Sequence, residues 1–552
     1  MKNDSALKSV AGTLTLLGIA AAAWAADDSW KASGSQAALA TGCGQSAVAA
    51  LDVLHSGGNA ADAAVAALLV LSVTDSKNFC FGGEVPILVY DARRNVVEVI
   101  AGQGAAPRLA TVEYFREHHG GLIPGDGHPA TATVPAAMDA LIVALDRFGT
   151  RTFEESASST LAILDAHRDG WQPQMARTIR RLIDAERMGG GDRRRGLRLA
   201  ADCFYRGPVA RNLAAWSSGH GGLIRYSDLA THVTRIEEPV TVDYRGHAVF
   251  KCDTWTQGPY LLQTLRLLEQ FDLRSLEHNG APYVHLLAEA MKLGLADRDT
   301  YYGDPLFAEV PLQDLLSPRY ADLRRPLIDL HRASLELRPG DPRANRSLLG
   351  IAPAEYRLPA EPLRDTTTCV VADRWGNVVA ATPSGWGGVL AGETGIMLNS
   401  RLRSLNTWPG HPNCLEPGKR PRITLTPTLV FREGRPVAAI SVAGGDQQDQ
   451  VTLQLLLNHL EFGLKPAEAV TVPRFVTDHL VGSFNQTKPE LGSLKLYPAF
   501  PQQVVSELKQ RGHVVTTSRP PLGHPVMLVL DPASGVKSAA GDPAARRHAR
   551  AY

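Results

Sequence analysis

What the chain lacks narrows its identity first. Net charge is almost absent: 57 lysines and arginines stand against 56 aspartates and glutamates, so no strong field draws the protein to nucleic acid or to an acidic membrane face. Cysteine is sparse. The six present, Cys43, Cys80, Cys203, Cys252, Cys369 and Cys414, form no CxxC or CxxH pair, which leaves a zinc site without support and one or two disulfides open. Beyond the first 30 residues no apolar run approaches the ~20 residues that cross a bilayer. The nearest, AADAAVAALLVLSV at 60–73, reads as a buried helix. Also missing are a GxSxG elbow, HExxH, GxxxxGK[ST] and a dinucleotide fingerprint between strand and helix, and with them go the familiar hydrolase and nucleotide readings. At 44% hydrophobic and 20% charged residues, what remains is a large globular protein acting on a small molecule or peptide.

Lys2 and Lys8 precede an apolar stretch from Val10 to Ala23, followed by Ala23-Trp24-Ala25. This is the pattern of a secretory signal peptide cut after Ala25, so the expected protein is secreted or periplasmic. Alanine-rich helices are expected on both sides of Gly57-Gly58-Asn59, and another beginning with a cap at Thr133 and Pro135. ERMGGGDRRRG (186–196) and the pair His118-His119 read as surface loops. Helices are also expected at PYLLQTLRLLEQF, PYVHLLAEAMKLGLADRDTYYGD and VTLQLLLNHLEFG, with Asp297, Asp299 and Asp304 at helix ends and turns. Three hairpins stand out: VPILVY with VVEVIAG, TTTCVVAD with NVVAAT, and TPTLVF with PVAAISVAGG. Hairpins and helices in separate runs argue for an α+β layered fold and against a doubly wound parallel sheet. Residues 306–364 read as irregular and exposed, and GDPAARRHARAY as a frayed basic tail.

The threonines of DTTTCVVAD stand where that irregular stretch meets a strand. A threonine hydroxyl is a weak nucleophile unless a base lies beside it, and a chain-terminal α-amine is one such base. Thr366 would carry that amine only after cleavage behind Asp365. Composition alone also permits an ordinary strand start, because threonine is a common strand residue.

Several stretches, in order along almost the whole mature chain, resemble the gamma-glutamyltransferase family of N-terminal nucleophile hydrolases. They are GGNAADAAVAA, FGGEVPILVYDA, AEAMKLGLADRDTYYGDP, DTTTCVVADRWGNVVAAT, AGETGIMLN, EPGKRPRITLTPTLV, AGGDQQ and EAVTVPRF. The resemblance implies a four-layer α/β/β/α sandwich and self-cleavage between Asp365 and Thr366. A signal peptide (1–25), a large chain (26–365) and a small chain (366–552) would result, the two chains staying together as a heterodimer. It further implies Thr366 as nucleophile, Ser384 as its supporting hydroxyl, Gly444 and Gly445 as oxyanion donors, and no metal or organic cofactor. Departures fall at the glutamyl-binding positions: Gln103 replaces an arginine, Ser404 an aspartate, Trp386 an asparagine, and Ile423 and Thr424 a pair of serines. Glutamine does not neutralise a carboxylate as a guanidinium fork does. The expected activity is cleavage of a γ-glutamyl or related amide, of the glutathione hydrolase type, with transfer to water or an amine. The alternatives are an acylase for another amide, such as a cephalosporin side chain, and an uncut binding protein.

Overall fold

The structure, a computed structural model, describes residues 29–344, 346–347, 366–385, 387–518 and 521–552. The signal segment, Asp365 and Trp386 lie outside the described residues. Two sheets form the centre. The 10-stranded sheet runs Val389–Leu390, Met397–Leu398, Phe79–Asp91, Val378–Ala381, Cys369–Ala372, Ala38–Thr41 and His548–Ala551, with Ser384–Gly385 and Val96–Gly102 joined off Phe79–Asp91, and Arg235–Glu237 off Val96–Gly102. The 7-stranded sheet runs Lys31–Gly34, Lys537–Gly541, His524–Leu530, Arg435–Ala443, Thr428–Arg432, His247–Lys251 and Val240–Tyr244. Each sheet therefore interleaves strands from before and after residue 365.

Side chains alternate across a strand, and that period sorts these strands into layers. Val370 and Ala372 join Leu88, Ala380, Leu429, Ala439 and Val526 in a core between the sheets. Cys369, Val371, Val379 and Ile87 point the other way, into a core shared with the helices Gly44–His55, Ala60–Thr74 and Ala137–Phe148. On the outer face of the second sheet, Val242, Val249, Ile440 and Met527 pack with Pro259–Leu268, Ala281–Tyr301 and Gln448–Leu460. The result is the expected α/β/β/α sandwich, and all three predicted hairpins form in it.

Asn59 starts the helix Ala60–Thr74 in a capping box: its side chain accepts from Ala61 and Asp62 N–H, and Asp62 accepts from Asn59 N–H. Asp373, in the turn of the second hairpin, accepts the N–H of Ala60 at 2.9 Å. The hairpin behind Thr366 is thereby tied to the long buried helix.

Several local expectations change. Thr133 does not cap a helix; the helix starts at Ala137, and Thr133 donates to Asn399 instead, a buried acceptor just after the strand Met397–Leu398. The arginines of the 186–196 run begin a helix, Arg193–Tyr205, capped by Asp192, and His118 and His119 end the helix Val112–His119. Residues 312–315 and 318–324 are short helices. All six cysteines are free thiols. The basic tail is an edge strand: His548–Ala551 pairs with Ala38–Thr41, and buried Arg547 donates to Gly42 O at 3.0 Å. Backbone pairing along a sheet edge outweighs the local polar composition that suggested fraying.

Between the 7-stranded sheet and its helices, Lys251 Nζ donates to Asp449 at 2.6 Å, Thr428 Oγ1 at 2.7 Å and Thr426 O at 2.9 Å, with both charges fully buried. Burial pushes the Asp449 carboxyl up, and Lys251 opposes that shift. Lys251→Met leaves the carboxylate unpaired, for an expected loss of about 3–5 kcal/mol in urea unfolding. Its folded pKa then rises further above the unfolded value, so the folded state holds a proton that the unfolded chain releases. The loss is smallest below about pH 4 and grows as pH rises.

Candidate active site

Thr366 is fully buried at the head of the strand Cys369–Ala372. Its N–H donates to Asn78 O at 3.3 Å, Thr367 N–H to Pro383 O at 2.9 Å, and Gly42 N–H to Thr368 O at 3.0 Å. The three threonines are thus held from three sides. Thr366 has φ 75°, a left-handed backbone that a β-branched residue rarely adopts and that stores about 1–3 kcal/mol.

Its side chain meets two acceptors. Oγ1 lies 3.4 Å from Ser384 Oγ, to which it donates. Ser384 arrives through the hairpin: it pairs with Glu84, Gly385 pairs with Phe79, and the register shifts between them. Gly385 has φ 120°, and a Cβ there would fall 2.4 Å from Gly83 Cα, so glycine alone allows this turn.

The second acceptor is Gln448. Two buried carbonyls fix its amide: the NH2 donates to Val442 O at 2.9 Å and Thr424 O at 2.8 Å. The other end, Oε1, therefore faces the hydroxyls of Thr366 at 3.3 Å and Thr424 at 3.4 Å. Gln448 opens the helix Gln448–Leu460, directly after the turn Gly445–Gln447. Gly444 and Gly445 have φ 127° and 58°. Their turn is clamped through Asp446, which accepts from Arg298 at 2.6 Å and from Ser483 N–H at 2.9 Å. Burial works against that carboxylate, but Arg298 and Ser483 hold it below the usual range.

Behind Ser384 lies a buried ion pair. Arg401 donates from Nε to Glu84 Oε1 at 2.7 Å and from Nη2 to Ser384 Oγ at 2.7 Å, and its guanidinium stands 5.1 Å from the Phe484 ring centre. Asn399 sets the loop: its Oδ1 accepts from Thr133 N–H and Arg401 N–H at 2.9 and 3.0 Å, and its Nδ2 donates to Gly82 O at 2.7 Å. Arg403 donates to Asn485 and pairs with Asp126. Burial pushes its pKa down.

The structure therefore brings Thr366 together with Ser384 directly and with Thr424 through Gln448, beside the turn that carries Gly444 and Gly445. Gln103 and Ser404 stand apart. Gln103 donates to Gly104 O at 2.9 Å and lines a cavity of about 390 Å³ with Arg108, Asp228 and Arg420; Thr366 is not on that wall. Ser404 is buried with its hydroxyl unpartnered. Sequence reasoning missed Glu84, Arg401, Asn399 and Gln448. One signal was available: Glu84 is an acid in the middle of an apolar strand, where a carboxylate is kept only with a partner. Elsewhere, His285, Glu289 and His513 bring potential metal-ligand atoms within 4.8 Å. Lys292 and Arg338 already bind that carboxylate, at 2.6 and 3.0 Å.

The family model for gamma-glutamyltranspeptidase matches residues 46–181 and 164–552. The chain belongs to this family. A glutathione hydrolase proenzyme of Bacillus subtilis is 30% identical over 526 residues, spanning 89% of this chain and 87% of that protein. An acylase ACY 1 proenzyme from a Pseudomonas species is also 30% identical, over 88% of each. The solved structure of LmbA2991HD is 34% identical, with a TM-score of 0.85 and coverage of 94% of this chain and 99% of its own. The protein is thus an N-terminal nucleophile hydrolase of the gamma-glutamyltransferase type, an enzyme acting on small substrates.

Gln448 is the group that joins the strand behind Thr366 to the Gly444-Gly445 turn. Gln448→Met removes the donors to Val442 O and Thr424 O, and the expected loss is about 1–3 kcal/mol for each buried carbonyl left without a donor. Urea unfolding of Gln448→Met against the parent checks it, and Gln448→Glu separates lost hydrogen bonds from lost volume.

Proposed function

We propose that Thr366 is the nucleophile of a self-processing amidohydrolase and acyltransferase, exported by its signal segment and cut between Asp365 and Thr366. The observation that carries this reading is a buried hydroxyl set between Ser384 and Gln448, either of which can accept its one proton, on a residue with a left-handed backbone. The strain bears on the first step. Attack of Oγ1 on the Asp365 carbonyl, with nitrogen leaving as the amine, turns the amide into an ester, and the φ torsion of Thr366 ceases to be constrained. Hydrolysis of the ester frees the small chain, 366–552. The interleaved strands of both sheets support its continued association with 26–365.

In the cut enzyme the α-amine of Thr366 takes the hydroxyl proton as Oγ1 attacks the substrate carbonyl. The proton then passes to the departing amine, leaving an acyl-enzyme for water or an acceptor amine. N–H groups of the Gly444-Gly445 turn would face the oxyanion, each worth about 3 kcal/mol in comparable sites. No cofactor enters this scheme.

The acyl group is the open variable. The glutathione hydrolase type is the family's reading. A non-glutamyl acylase is the second, and specific side chains favour it: Gln103 lacks the charge to bind an α-carboxylate, and Ser404 the charge to bind an α-ammonium. Arg401 and Arg403 stand nearby with their acids already engaged. An uncut binding protein is the non-enzymatic outcome.

Purified protein is expected to run as two pieces, the smaller beginning at Thr366 by N-terminal sequencing; a single intact band counts against the nucleophile. Thr366→Ala is expected to abolish both cutting and turnover. Release of p-nitroaniline from a γ-glutamyl anilide, compared with neutral acyl anilides, decides between the two acyl readings. Gly444→Ala, which forces a side chain onto φ 127°, is expected to lower kcat by about 10²–10³-fold with little change in KM.

A further inference from the structure

The Glu84–Arg401 pair is nearly sealed from water, with side-chain exposures of 1% and 4%. It sits one residue from the nucleophile. Arg401 Nη2 donates to Ser384 Oγ at 2.7 Å, and Ser384 Oγ accepts from Thr366 Oγ1 at 3.4 Å, which puts a fixed cation two hydrogen bonds from the hydroxyl that must lose its proton. The planar guanidinium cannot turn away, because its Nε edge is bound to Glu84 on the neighbouring strand, opposite Ser384 in the register.

We propose that the Glu84–Arg401 pair is a positioning device that tunes the proton affinity of the freed Thr366 amine, and so sets the pH at which this enzyme becomes active. The proposal rests on the reading of Thr366 as the nucleophile. The cation disfavours the protonated amine, keeping it available as a base near neutrality, and Glu84 limits that effect. Among the described residues, the other charges around the site are paired in their own places. Asp75 lies 3.8 Å from Arg547, beyond Asn78; Asp446 binds Arg298, beyond the glycine turn; Asp449 binds Lys251, one residue on from Gln448; and Asp126 binds Arg403. Among these pairs, the Glu84–Arg401 pair is the one whose cation touches the nucleophile's own hydroxyl partner.

The test needs no knowledge of the natural substrate. Phenylmethylsulfonyl fluoride is the probe: Thr366 Oγ1 bonds to sulfur, fluoride leaves, and the hydroxyl proton goes to the amine. The rate of sulfonylation of the cut protein, followed by mass on the small chain, is measured against pH. In the parent it is expected to rise as the amine loses its proton. Arg401→Gln removes the cation, so the amine pKa rises and the acid limb moves to higher pH by about one unit. Glu84→Gln removes the opposing charge and moves the limb to lower pH. Arg401→Lys keeps the charge and leaves the limb near the parent's position even if the rate falls with the lost fork.

Opposite displacements in the two glutamine variants support the proposal. An unmoved limb in both, or movement in the same direction, overturns it, because a purely structural role changes rates and not the titration. If Arg401→Gln yields no cut protein, Glu84→Gln and Arg401→Lys decide alone, and an unmoved limb in Glu84→Gln overturns it. A parent chain that stays intact, or a label elsewhere than Thr366, refutes the nucleophile reading itself and the proposal with it.

Discussion

Strand register is the constraint on which the rest of this molecule depends. Ala38–Thr41, Cys369–Ala372, Val378–Ala381 and Phe79–Asp91 lie side by side as one antiparallel ladder. A one-residue slip would turn Val370 and Ala372 out of the inter-sheet core. That ladder leaves Thr366 one turn short of the strand, against Asn78, and carries Ser384 back to it from the far end of the hairpin. Small residues between the sheets, Ala38, Ala40, Ala372, Ala380 and Ala439 among them, permit the close approach that brings Gln448 of the second sheet's helix within reach of the same hydroxyl.

Around this centre the protein keeps an unusual number of buried charges. Glu84 with Arg401, Lys251 with Asp449, Arg298 with Asp446, Arg420 with Asp304, and Arg474 with Asp542 are all largely or wholly removed from water. Such pairs add little net stability, since desolvation offsets most of the attraction. What each does provide is direction: a guanidinium bound on one edge presents its remaining N–H groups at a fixed angle. The glycine turn, the Ser384 hydroxyl and the Arg403 loop are all aimed in this way.

Much of the fold was legible in the sequence because its signals are local. Hairpin turns such as RWGN and REGR, the Gly57-Gly58-Asn59 break and the period of the long helices each operate over a few residues. Ser384 was named beside Thr366 by the family resemblance and not by any spacing rule, and the two hydroxyls do meet, 3.4 Å apart. The groups that hold them were not legible. Glu84, Arg401 and Gln448 come from three distant segments and meet only after both sheets have closed, so no spacing rule links them. The tail misled for the opposite reason: the composition of AARRHARAY is polar, whereas its role comes from backbone pairing. Thr133 also resembled a cap because a threonine shortly before a proline fits a helix start, yet Asn399, more than 260 residues away, takes its hydroxyl.

The edge strand His548–Ala551 has a temporal meaning as well. Arg547 braces Gly42, whose N–H is bound to Thr368 O, and lies against Asp75, which accepts from the Asn78 side chain. These contacts lead straight to the backbone of Thr366, yet their donor emerges from the ribosome long after the threonine does. The surroundings of Thr366 are thus complete only once the last strand of the chain has been made and paired.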